Sequence, residues 1–189
     1  MFDVIVLDPP WSVNKIQRKS RPNQKKLEYP TMSLDEIKAL DIKSVANENC
    51  MLFMWNIQKY MKDSWDILEA WGFKYQRILS WDKGNGMCLF GFHHRTEYVI
   101  FGYCGKIEMY PKRKTIPTSF SAKSERHSAK PDIFYSYLDR IPGKKLDIFA
   151  RVQRPGWVCI GNEINGMEIS EQLKLIDGNE ETTIGKKLF

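Results

Sequence analysis

A chain of 189 residues can bury one full hydrophobic core but is short for two. Its 42% hydrophobic and 28% charged content is that of a water-soluble globular domain and argues against a disordered or fibrous chain. The net charge of +6 points to a polyanionic partner, provided that the basic residues cluster.

The chain opens on "FDVIVL", a buried strand, followed by "DPPWS". Proline cannot continue a central strand, so the strand ends abruptly and presents Asp8, Pro9, Pro10 and Trp11. Asp3 and Asp8 interrupt the apolar run and no basic segment precedes it, so a signal peptide is not expected. No apolar run approaches the ~18 residues of a membrane span, and an intracellular, cytoplasmic protein is expected. Residues 12–28 lack apolar periodicity and hold Lys15, Arg18, Lys19, Arg21, Lys25 and Lys26 against the single acid Glu28, which reads as a long basic loop. Ser33 with Glu36 three residues on is a capping box that starts a short helix.

Residues 50–56, "CMLFMWN", read as a fully apolar strand, and residues 58–72 as a helix closed by Gly72. "FKYQRILSW" alternates as a strand, "GNG" at 84–86 reads as a turn, and residues 96–103 as the next strand. Residues 105–130 are aperiodic and again basic, with Lys112, Arg113, Lys114 and Lys130 among them. A helix opened by Pro131 at its first position follows, then strands in "KLDIFA" and "GWVCIG", then a polar tail with a helix that frays. Strands alternating with helices argue for an α/β fold: a mostly parallel sheet with helices on both faces and sites at the carboxyl ends of strands. Asp8, Asp82 and Arg151 fall at such ends.

The four cysteines form no CxxC pair and are expected as buried free thiols, and the three scattered histidines make no metal site. The four tryptophans other than Trp11 and Trp81 — Trp55, Trp65, Trp71 and Trp157 — lie on apolar segments and are expected in the core. No GxGxxG occurs, so a nicotinamide enzyme has little support.

A carboxylate, two rigid carbonyls and an aromatic plate at one strand end suit a grip on the exocyclic amine of a nucleobase. Acceptors on the amine hydrogens favour a pyramidal nitrogen with a free lone pair, and a ring can stack on the base. Beyond these four residues, "FDVIVLDPPW", "YPTMSLDEI", "LFMWN", "ILEAWGFKYQRILSWDK", "HRTEYVIFGYCG", "SAKPDIFYSYLDRI" and "KLDIFARVQRPGWVCIGNEING" together resemble the MT-A70 adenine methyltransferases, in the family's order, from Phe2 to about Gly166. The resemblance implies a Rossmann-like S-adenosylmethionine-dependent methyltransferase fold. Its order is permuted, with the DPPW strand first and the cofactor strand last, over residues 1–166, and 167–189 form a tail.

It further implies Asp8, Pro9, Pro10 and Trp11 as the catalytic loop, with Asp8 also on the cofactor side. Tyr29 would line the adenosine pocket and Glu97 would be an acid on the substrate side. Lys130 would lie near the cofactor carboxylate, and Arg151, Asn162 and Glu163 around its ribose and adenine. Lys25, Lys26, Arg113 and Lys114 would meet phosphates. The family usually carries cofactor-touching residues upstream of the first strand, where this sequence starts. Only "VQR" separates Arg151 from Pro155, which weighs against placing Gln153 and Arg154 at the cofactor ribose. The expected activity is S-adenosylmethionine-dependent methylation of the 6-amino group of adenine, without a metal. DNA is favoured over RNA, in a bacterial or phage-encoded protein acting as a monomer, a homodimer or with a partner subunit. An inactive nucleic-acid-binding subunit is the alternative.

Overall fold

In the computed structural model, residues 1–12, 30–107, 115–123 and 129–177 are described. Seven strands form one sheet in the order β5-β3-β4-β2-β1-β6-β7. These are β1 (Phe2–Leu7), β2 (Ala46–Asn56), β3 (Lys74–Leu89), β4 (Phe92–Cys104), β5 (Ser119–Ser121), β6 (Lys145–Ile148) and β7 (Val158–Ile160). The sheet is mostly parallel, and β4 is its one antiparallel member, paired to β2 and β3.

β1 lies near the centre, parallel to both β2 and β6. Its residues from Val4 to Leu7 are fully buried, because helices cover both faces of the sheet. Ile5 and Leu7 face one layer, with Ile37 of α1 (Leu34–Lys38), Ile42 of α2 (Ile42–Val45), Ile67 and Leu68 of α3 (Asp63–Ala70), and Leu173 of α6 (Ile169–Asp177). Val4 and Val6 face the other, with Phe134 and Leu138 of α4 (Asp132–Leu138). One strand thus serves two cores through its alternation of side chains.

The capping box at α1 forms as expected: the Ser33 hydroxyl accepts from the Glu36 amide, and Glu36 accepts from the Ser33 amide at 2.7 Å. The expected helix over 58–72 is instead a 3-10 turn at Gln58–Tyr60 followed by α3. Pro131 caps α4 from outside rather than entering its first turn. "GNG" is not the turn of the hairpin. β3 runs on to Leu89 and the chain reverses at Phe90 and Gly91. The glycines absorb a bulge, where five steps from Asp82 to Met87 oppose two from Thr96 to His94. β5 arises inside the stretch read as aperiodic loop.

Trp55, Trp71 and Trp157 are buried, and Trp65 packs against the core. All four cysteines are free thiols, but Cys88 is exposed, contrary to expectation, because it sits on the β3 overhang. α6 is no loose tail element, since Ile169 and Leu173 are buried. Among the described residues no helix is long and apolar enough to cross a membrane.

Candidate active site

The carboxyl ends of β1, β2, β6 and β7 lie along one edge of the sheet. β4 enters the sheet there, because it runs antiparallel to β2 with Tyr98 opposite Asn56. Asp8 follows β1 and Glu97 sits on β4, so both carboxylates come to this edge. Between them stands Lys130, whose Nζ is 3.2 Å from Asp8 Oδ2 and 3.0 Å from Glu97 Oε2. The ammonium also lies 4.8 Å from the Trp55 ring centroid, a cation–π contact. Lys83 binds the other oxygen of Glu97 at 3.1 Å. Trp81 is directly opposite Glu97 in the β3–β4 ladder, and Lys83 is its diagonal neighbour.

This half-buried cluster of two acids and two cations shifts its members. Burial raises the pKa of Asp8, and the attraction of Lys130 offsets this only in part. For Glu97, burial acts upward, but Lys130 and Lys83 together hold the group below its ordinary value. For Lys130, burial acts downward, yet Asp8 and Glu97 outweigh it and keep the amine protonated. The same cluster thus shifts its two acids in opposite directions.

The DPPW segment is clamped from below. The Trp11 indole donates to the Trp55 carbonyl at 3.1 Å, and the ring stacks on Tyr60 with centroids 5.1 Å apart. The Tyr60 hydroxyl donates to the Ser12 carbonyl. The Pro9 carbonyl accepts from the Trp11 amide at 2.7 Å and the Pro10 carbonyl from the Met32 amide at 3.0 Å. Each carbonyl keeps a second lone pair. Trp11 is only 5% exposed, which corrects the expectation of an open plate for a base. A ring covered on one face by Tyr60 and tied at its nitrogen anchors the loop.

Arg151 follows β6, and Glu163 lies on α5 (Asn162–Asn165), just after β7. Their side chains pair at 3.4 Å, and Arg151 is close enough to Asp8 to favour its charge. Phe149, at φ 64, adopts the left-handed conformation just after β6 and packs against the core. A Cβ on Gly161 would meet the Ala150 carbonyl oxygen at 2.4 Å, so only glycine lets the two strand ends pack this closely. Gln172 of α6 accepts from the Gly161 amide at 3.1 Å and from the Asn165 side chain at 2.9 Å.

The structure thus gathers Asp8, Pro9, Pro10, Glu97, Lys130, Arg151, Asn162 and Glu163 at one edge. Tyr29, Lys25, Lys26, Arg113 and Lys114 lie outside the described residues, as does His127. Sequence reasoning missed Lys83, Tyr60 and Gln172. Cross-strand pairing could have pointed to Lys83. The other two make contacts that local pattern does not encode. Among the described residues no group of three or more His, Cys, Asp or Glu side chains could hold a metal ion.

The sequence profile of the MT-A70 family matches residues 2–163. The chain is 29% identical to the type II methyltransferase M.MunI of Mycoplasma sp over 197 aligned positions, covering 90% of this chain and 82% of that protein. It is 26% identical to an N(6)-adenosine-methyltransferase MT-A70-like protein of Drosophila melanogaster, with 94% of this chain and 30% of that one covered. It is 30% identical to the N(6)-adenine-specific methyltransferase METTL4 of Homo sapiens, covering 86% and 37% respectively. The chain therefore spans most of the Mycoplasma protein and about a third of the two animal proteins. With the profile matched from the first strand into α5, the chain belongs to the MT-A70 family of adenine methyltransferases.

Proposed function

We propose that this chain transfers a methyl group from S-adenosylmethionine to the 6-amino group of adenine in nucleic acid, with DNA as the substrate. The observation that carries the proposal is Asp8 at the carboxyl end of β1, held with Glu97 around a shared Lys130 ammonium. The name of the Mycoplasma relative, a type II methyltransferase that covers nearly the same length, supports DNA.

The residues present fit S-adenosylmethionine. Asn162, Glu163 and Arg151 offer donors and acceptors for ribose hydroxyls and an adenine edge. The Arg151–Glu163 pair, with Glu163 55% exposed, costs little to open. Lys130 would meet the methionine carboxylate only by sharing its charge with Asp8 and Glu97. When bound, S-adenosylmethionine supplies the electrophilic methyl group.

The protein residues prepare the amine. Asp8 Oδ2 faces Lys130, which leaves Oδ1 to accept one hydrogen of the adenine amine. The second lone pair of the Pro9 carbonyl accepts the other. Both contacts draw the nitrogen lone pair out of the ring's π system and aim it. As the nitrogen takes on positive charge, the Asp8 carboxylate stabilises it, a preorganised electrostatic effect. Asp8 Oδ1, whose pKa burial has raised, is suited to hold the departing proton.

The test is transfer of labelled methyl groups from S-adenosylmethionine to adenine-containing single- and double-stranded DNA and RNA, with Asp8→Ala in parallel. Wild-type transfer to DNA that is lost in Asp8→Ala is expected. Transfer confined to RNA would reassign the substrate, and no transfer to any of the four would leave an inactive binding subunit.

A further inference from the structure

β3 and β4 overrun the sheet. β3 is flanked by β5 up to Asp82, and β4 by β2 only from Tyr98 onward. Beyond the bulge, from Met87 opposite His94 to Leu89 opposite Phe92, they pair, among the described residues, only with each other, and residues 90–96 are all exposed. An isolated two-stranded ribbon is marginally stable in water. This one is pinned at its base. Arg95 makes two hydrogen bonds to Asp82, at 2.7 and 2.5 Å, and Asp82 also accepts from the Gly84 amide at 2.9 Å.

The tip breaks a local rule. Its two-residue turn has positive φ at both positions, 50° at Phe90 and 81° at Gly91. Such a turn favours Asn-Gly, and a bulky ring in the left-handed region is strained. Packing does not repay the strain, because Phe90 is 87% exposed and Phe92 beside it 72%. Two bare rings at the end of a protruding arm mark a contact surface.

The arm is also free of acids. From Lys83 to Arg95 the sequence holds Lys83, His93, His94 and Arg95 and no Asp or Glu. Lys83 and Arg95 are paired with Glu97 and Asp82, so the tip itself presents no negative charge to repel a polyanion. Glu97 lies five residues from Phe92 on the same strand, so the tip reaches roughly 17 Å beyond the active-site edge.

We propose that the ribbon over residues 83–95 is the arm that grips duplex DNA beside the reacting adenine, with Phe90 and Phe92 stacking on the neighbouring bases. The proposal rests on the reading of the site as an adenine methyltransferase of nucleic acid. A two-stranded ribbon fits a major groove about 12 Å wide, and apolar wedges unstack base steps. An amine inside a duplex is reached only once its base leaves the stack, and an inserted ring fills the gap.

The experiment uses the full chain and a mixed-sequence duplex oligonucleotide with 2-aminopurine beside adenine. Affinity is read by anisotropy and unstacking by fluorescence. Phe90→Asn suits the turn better than phenylalanine and removes the ring, and Phe92→Ala removes the other. Each variant is expected to bind roughly tenfold more weakly and to lose the fluorescence rise. Melting temperature and S-adenosylhomocysteine affinity should stay at wild-type values or, for Phe90→Asn, rise in melting temperature. Wild-type affinity in both variants overturns the proposal, as does a wild type that does not bind the duplex. A wild type that sediments as a dimer, dissociated by either substitution, also overturns it, because the tip is then a protein contact. Failure of methyl transfer with tip-dependent DNA binding intact would remove the assigned activity and leave the arm standing.

Discussion

At the residue scale, the site is a balance of charge against burial. In the proposed mechanism Asp8 acts through its charge, so Asp8→Asn keeps the shape and one acceptor but removes what would stabilise the methylated nitrogen. Single-turnover transfer should slow about 100- to 1,000-fold, with the fold intact. Trp11 behaves differently from its sequence reading. It is buried against Tyr60, so Trp11→Ala should leave a cavity and cost about 3–5 kcal/mol, measurable by urea denaturation. Loss of base stacking without loss of stability would contradict this.

A second buried acid sets the pH response. Asp147 on β6 is 4% exposed and accepts from the Tyr135 hydroxyl at 2.9 Å. Burial pushes its pKa to about 7, against the opposing pull of Tyr135 and Arg154. The folded chain then holds a proton that the unfolded chain releases near pH 4, so stability falls as pH rises from about 4 to about 7. Asp147→Asn should abolish this decline. Its melting temperature should match wild type at pH 4.5 and exceed it at pH 8. Parallel pH profiles of the two proteins would show that Asp147 ionises normally. The Asp8–Lys130–Glu97 cluster was legible as three separate residues only. Their convergence depends on β4 running antiparallel, which no local pattern announces.

At the element scale, strand ends and turns decide what the site presents. β1, the α1 capping box, β6 and β7 could be read directly, because their apolar runs and caps act within a few residues. The β3 overhang could not, because bulges and turns draw on the same glycines, and "GNG" satisfies either. β5 is three residues long, too short for any period. Gly161 shows how tightly the ends of β6 and β7 are joined. Gly161→Ala would drive a Cβ into the Ala150 carbonyl and push Asn162 and Glu163 away from Arg151. S-adenosylhomocysteine affinity by calorimetry should drop at least tenfold, with a lower melting temperature. Unchanged affinity would mean that this junction does not hold the cofactor. α6, which reads as a tail helix, supports the same turn through Gln172.

At the scale of the whole molecule, the net charge of +6 and the lysine- and arginine-rich residues 12–28 and 105–130 predict a binding term that ignores base sequence. Replacing Lys25 and Lys26 by glutamine should weaken binding to every oligonucleotide alike. It should flatten the dependence of log affinity on log salt by about one unit per lost phosphate contact. An unchanged salt slope would assign these residues to solvent. The α/β layering was legible because strand and helix periods alternate along the chain. The placement of β1 is a matter of which strands meet, and it has a temporal side. β1 pairs with β2 and also with β6, and Val4 lies opposite Lys145. During synthesis one edge of β1 can be satisfied early, while the other waits until nearly the whole domain has left the ribosome. For that interval a strand destined to be buried on both faces carries an open row of amides and carbonyls, a template for misplaced pairing. Chains stalled before residue 145 should therefore aggregate or recruit chaperones, and those that extend past β6 should be released from them.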